Sequence, residues 1–135
     1  MKEQQPNDII VISSRAAEQL LHENLSSLDH EEVWSIYLTC HAGLIGTEMI
    51  SKGTLDKTAI DCRTVLRQVL LKNAAGIILL HNHPGGNARP SSADIRFTRD
   101  LRQACDIMGI RFVDHIIVGK NSYYSFIEER LQKLI

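Results

Sequence analysis

Residues 76 to 94 read GIILLHNHPGGNARPSSAD, and the reading of this stretch decides the fold around it. GIILLH is apolar up to its last residue, the pattern of a strand in the middle of a sheet covered on both faces. Side chains two apart on a strand share a face, so His81 and His83 can aim at one point. Pro84 cannot donate to a ladder and holds His83 extended, which should end the strand with both imidazoles at its rim. Gly85 and Gly86 let the chain turn sharply beside them. Ser91 reads as the N-cap of a helix, and Asp94 then lies in the first helical turn, facing back toward the strand end. Two neutral imidazoles and a carboxylate make a three-ligand set with a fourth position open, as in a catalytic rather than a structural zinc site. Ser91-x-x-Asp94 also resembles a capping box, and either histidine alone would pass for a structural one. The His-x-His at the end of a buried strand turns the balance to a metal.

Working outward, SSRAAEQLLHENLSSL (13–28) carries a serine cap and helical apolar spacing. EEVWSIYLTC (31–40) and LIGTEMISKG (44–53) read as a hairpin around the turn HAG, followed by a loop over 54–61. CRTVLRQVLLKNAAG (62–76) has Val65, Leu66, Val69 and Leu70 on one face and ends at a glycine, which predicts a second helix. The third helix is predicted from Ser91 to about Met108, burying Ile95, Leu101, Ala104, Cys105 and Met108. IRFVDHIIVG (110–119) and YYSFIE (123–128) are predicted strands, and ERLQKLI (129–135) a short terminal helix. Residues 1–8, polar and containing Pro6, should be loose, leaving one domain over 9–135. The predicted architecture is three-layer α/β, a mixed sheet flanked by helices.

Composition excludes several classes of function. The 135 residues, 44% hydrophobic and 23% charged, suit one ordinary globular core. A net charge of −1 gives no global attraction to nucleic acid or anionic membrane, although Arg96, Arg99 and Arg102 share a predicted helix. No apolar run approaches the ~20 residues of a membrane span, and MKEQQPNDII has no long apolar signal core. Cys40, Cys62 and Cys105 form no CxxC pair and read as reduced thiols, so a cytoplasmic location is expected.

His81-x-His83, seven residues, then Ser91-x-x-Asp94 matches the JAMM signature without a gap. NAAGIILLHNHPGGNARPSSADIRFTRDL followed by IRFVDHIIVG resembles the RadC-like branch of the JAB/MPN metallopeptidase family. The resemblance runs from about Glu32 to Glu129, with SKGTLDKT, Arg63 and DHIIVG as further points of similarity. It implies a cytidine-deaminase-like α/β fold and one zinc ion per chain, with iron or manganese also compatible with the donors. The implied reaction is hydrolysis of a peptide or isopeptide bond by a metal-activated water. A catalytic glutamate at the start of an early strand is implied, matched by Glu32, with Glu31 and Glu48 as competitors. The Ser91 hydroxyl would help stabilise the oxyanion, and Asp114 or His115 could orient a ligand.

The sequence departs from the branch pattern in two places. Gly85 stands where HNHPSG has serine, and Asp61-Cys62-Arg63-Thr64 retains only the arginine of the branch motif. The ligands are untouched; recognition near residues 60–64 should differ. The helix-hairpin-helix region of full-length RadC proteins is expected to be lacking. An accessory, DNA-repair-associated protein that binds metal without cleaving anything is the alternative, separable by salt-dependent DNA binding. A homodimer is compatible with either reading. A zinc deaminase would need His-x-Glu and Pro-Cys-x-x-Cys, both absent from the sequence. The ligands would also suit a two-His-one-carboxylate iron oxygenase, but the resemblance argues against that chemistry.

Overall fold

The computed structural model describes residues 9–53 and 61–133. The expected loose segment 1–8 and all but the last residue of the loop expected over 54–61 lie outside the described residues. The elements are α1 (Ser14–Leu25), β1 (Glu32–Leu38), β2 (Leu44–Lys52), α2 (Cys62–Leu71), β3 (Gly76–Asn82), α3 (Ser92–Met108), β4 (Arg111–Val118), β5 (Ser122–Ser125) and β6 (Arg130–Lys133). Six strands form one sheet in the order β2-β1-β3-β4-β5-β6.

All seven residues of β3 are buried, as the unbroken apolar run requires. It pairs antiparallel with β1, Val33 opposite His81, and parallel with β4, Leu79 opposite His115. The alternation of side chains divides the interior in two. Ile36, Leu38, Ile78, Leu80, Ile116 and Val118 face α1 with Leu21 and Leu25. Val33, Tyr37, Ile77 and Leu79 face α2 and α3 with Val65, Val69, Leu101 and Cys105. This is the three-layer mixed α/β arrangement that the sequence predicts. Among the described residues, no helix is long and apolar enough to cross a membrane.

Three local expectations are corrected. Leu101 and Cys105 are fully buried, but Ile95 and Met108 are 51% and 48% exposed and Ala104 is only half-buried. The buried stripe of α3 runs Asp94, Thr98, Leu101, Cys105, so its first two places are polar and mislead a purely apolar pattern. The helix stops at Gly109, in the left-handed region at φ 70°, where Ile110 N–H reaches back to the Cys105 carbonyl.

Helix α2 ends before the glycine expected to stop it. Asn73 takes the left-handed turn at φ 50°, and Gly76 opens β3. Residues 130–133 form β6 rather than a terminal helix. Glu129, at φ 55°, donates its N–H to the Ser125 carbonyl and reverses the chain, so that β6 pairs antiparallel with the outer side of β5. Covering an open edge of a four-residue strand outweighs a weak helical preference.

Candidate metal centre

The site forms where β3 ends and α3 begins. His83 lies one residue past β3, but its N–H still bonds to the Val118 carbonyl at 3.0 Å, so the chain continues extended alongside β4. His81 and His83 therefore face the same side, that of α3. Their Nε2 atoms are 3.2 Å apart. Asp94 is the third residue of α3 and completes a capping box with Ser91: its N–H donates to Ser91 Oγ and its Oδ2 accepts the Ser91 N–H at 2.8 Å. That box aims the carboxylate inward. Asp94 Oδ1 lies 3.2 Å from His81 Nε2, and Oδ2 lies 3.1 Å from His83 Nε2.

The hydrogen bonds around the imidazoles fix where their protons sit. Thr98 Oγ1 donates to the Asp94 carbonyl, so toward His115 it can only accept, and His115 carries its proton on Nδ1. His115 Nε2 is then bare and accepts from His81 Nδ1 at 2.8 Å. His83 Nδ1 donates to the Asn87 carbonyl at 2.9 Å. His81 and His83 thus turn their Nε2 atoms toward the Asp94 carboxylate, an arrangement that a cation among them would satisfy. Four ligands about 2.0 Å from a tetrahedral zinc lie about 3.3 Å from one another, close to the separations seen here. The donor set fits a divalent ion.

The electrostatics agree. Burial opposes ionisation of Asp94, but His81, His83 and the Ser91 backbone hold its carboxyl well below the usual carboxylate range. Burial likewise opposes a proton on His83, yet Asp94 raises its pKa, the same field that would draw a metal. His115, fully buried and stacked on Phe126 at 4.8 Å, is held well below the ordinary histidine value and stays neutral.

The glutamates separate by strand parity. Glu31 shares the face of Val33, the residue opposite His81, and its carboxylate, His81 and His83 offer ligand atoms all within 4.8 Å of one another. Those three groups could hold a metal ion. Glu32, the glutamate expected at the site, takes the other face, accepting from Trp34 Nε1 at 3.0 Å and pairing with His30 at 2.7 Å. Burial raises its pKa, but the hydrogen bonds from Trp34 and His30 outweigh that and leave it lowered. Glu48 accepts from Tyr37 and pairs with Lys72 at 3.5 Å, on the side of β2 covered by α2. Of the two residues expected to orient a ligand, His115 touches His81. Asp114 instead holds the start of the β5–β6 turn, accepting from the backbone of His115 and Ile127 and from Ser125 Oγ.

Sequence reading also passed over Asn82 and Thr98. Thr98 could have been found, since it lies four residues after Asp94 and so on the same helix face. The loop carrying His83 is pinned from outside as well. Lys120 N–H bonds to the Gly86 carbonyl, and a Cβ on Gly119 would stand 2.5 Å from that same oxygen.

Residues 11–131 match the family described as RadC-like JAB domain. A UPF0758 protein of Actinobacillus pleuropneumoniae serotype 5b (strain L20) is 43% identical over 108 residues, 80% of this chain and 49% of that protein. UPF0758 protein YeeS of Escherichia coli (strain K12) is 41% identical over 119 residues, 88% of this chain and 80% of that protein. A UPF0758 protein of Flavobacterium johnsoniae is 34% identical over 132 residues, 95% of this chain and 58% of that protein. The chain spans about half the length of the Actinobacillus relative.

Proposed function

The chain belongs to the RadC-like JAB domain family, and from that premise we propose that it is a metallohydrolase of the JAMM type that cleaves a peptide or isopeptide bond. His81, His83 and Asp94 would hold one divalent ion, compatible with zinc by their donor chemistry and taken as zinc from the family resemblance. The carrying observation is the convergence of two bare Nε2 atoms on the Asp94 oxygens at 3.1 and 3.2 Å. A divalent ion bound there supplies Lewis acidity, polarising a carbonyl and making water nucleophilic near neutral pH.

The remaining chemistry falls to the chain. Glu31, not Glu32, is proposed as the general base: it takes a proton from the attacking water and returns it to the leaving amine. Its nearness to both imidazoles supports this role. Ser91 Oγ accepts the Asp94 N–H, which leaves its own hydrogen to donate to the developing oxyanion. His115 keeps the His81 ring in one tautomer. A peptide partner is proposed over nucleic acid because the net charge of −1 gives no global attraction to a polyanion.

Elemental analysis of protein purified without chelator tests the metal: one zinc per chain is expected, and none in His83→Ala. Hydrolysis is tested with a library of peptides and isopeptide-linked conjugates. A zinc-loaded protein that cleaves no amide bond in such a library, while showing steeply salt-dependent DNA binding, would overturn the hydrolase reading.

A further inference from the structure

We infer that Asn82 is a positioning residue, whose side-chain amide holds the backbone on both sides of Glu31 and so delivers that carboxylate to the metal site. This rests on the reading of Glu31 given above. Ladder pairing between β1 and β3 runs only as far as Val33 opposite His81. Beyond that rung no residue of β3 is paired with one before Val33. The Asn82 side chain takes over: its Oδ1 accepts the Glu32 N–H at 2.8 Å, and its Nδ2 donates to the His30 carbonyl at 2.8 Å. A carboxamide has the one acceptor and the donor of a peptide group, so it can stand in for the missing rung.

The two bonded groups flank Glu31. On the other side of the strand, Gly53 N–H bonds to the Glu31 carbonyl at 2.8 Å. With its backbone held from both edges, Glu31 keeps the parity of Val33 and faces His81. Asn82 itself is 1% exposed and lies between the two ligand histidines while facing away from them. One tripeptide thus serves two faces of the sheet, the histidines the metal side and the asparagine the α1 side. Aspartate would lack the donor, and serine could not reach both groups.

The test is a double-mutant cycle on zinc affinity, read with the metal alone by competition against a chelating dye, and needing no substrate. A carboxylate this close to the ligands should contribute to holding a dication. Glu31→Gln should therefore weaken zinc binding about tenfold. Asn82→Ala should weaken it by a similar factor in the wild-type background and leave it within about twofold in the Glu31→Gln background. Asn82→Ser, neutral and small enough to be accommodated but unable to reach both backbone groups, should show the same loss in the wild-type background and the same insensitivity in the Glu31→Gln background. Equal effects of the Asn82 variants in both backgrounds would overturn the positioning role and leave Glu31 at the site. An unchanged affinity in Glu31→Gln would overturn the placement of Glu31, and the inference with it.

Discussion

Glu31 and Glu32 are the same side chain on consecutive residues, and the face each one takes puts the first beside His81 and His83 and the second beside Trp34 and His30. Loaded with saturating zinc to offset its weaker binding, Glu31→Gln should still lose turnover by about 10²–10⁴, the range for removing a general base. Glu32→Gln should keep both zinc and turnover, since its partners are Trp34 and His30 on the far face. Elemental analysis with a peptidase assay on each variant checks the pair. Ser91 has two duties that a second substitution separates. Ser91→Asp still caps α3 and should unfold within a degree or two of wild type. An ionised aspartate cannot donate to an oxyanion, so turnover should fall on the order of a hundredfold. The convergence of His81, His83 and Asp94 was legible in the sequence because spacing alone carries it: two apart on a strand, then a capping position. Which glutamate faces the two histidines was not, because choosing between adjacent residues needs the register of β1 against β3 to the residue. Asn82 was illegible for a related reason, since its partners at His30 and Glu32 are 50 or more positions away.

Helix α3 shows how an element inherits its burial from a site. Its stripe begins with Asp94 and Thr98, which are buried for polar reasons, and continues with Leu101 and Cys105. Leu101→Ala should cost about 2–5 kcal/mol in urea unfolding. Ile107→Ala, at a position 85% exposed, should stay within about 0.5 kcal/mol. The existence of the helix was plain from its caps and length, while its rotation was set by residues whose burial no apolar pattern reports. Strand β6 escaped for the opposite reason: its pairing depends on the turn at Glu129, and nothing within the segment itself favours a strand. The start of the β5–β6 turn, held by Asp114 of β4, carries a pH signature. Burial raises the Asp114 carboxyl above its ordinary value of 3.8 despite three hydrogen bonds to it. The folded protein therefore takes that proton more readily than the unfolded chain, and ionised Asp114 costs stability as pH rises from about 4 through its raised pKa. Asparagine can keep all three bonds if the Ser125 hydroxyl turns to accept. Asp114→Asn should accordingly gain on wild type over that window, measured as urea midpoints from pH 4 to 7.

At the scale of the molecule, the sheet has a hydrophobic layer on each side, and neither layer needs the metal to close. Zinc should therefore stabilise the fold without being required for it. At a hundred times its dissociation constant the gain is about 2.7 kcal/mol, several degrees in Tm by calorimetry. Chelator should reverse the gain, and His83→Ala should abolish it. Gly119 connects this molecule-wide balance to a position no one would choose from the site itself. It has no side chain and touches no ligand, yet it lies against the carbonyl of Gly86, in the loop that carries His83. A single methyl there would act as a wedge between the carbonyls of Gly86 and Ser122, and the first of these belongs to the loop that carries His83. Gly119→Ala would then be read in a screen as a metal-binding defect, with every ligand, the base and both hydrophobic layers intact. The constraint on the His83 loop therefore extends to a residue whose only contribution is the space it leaves empty.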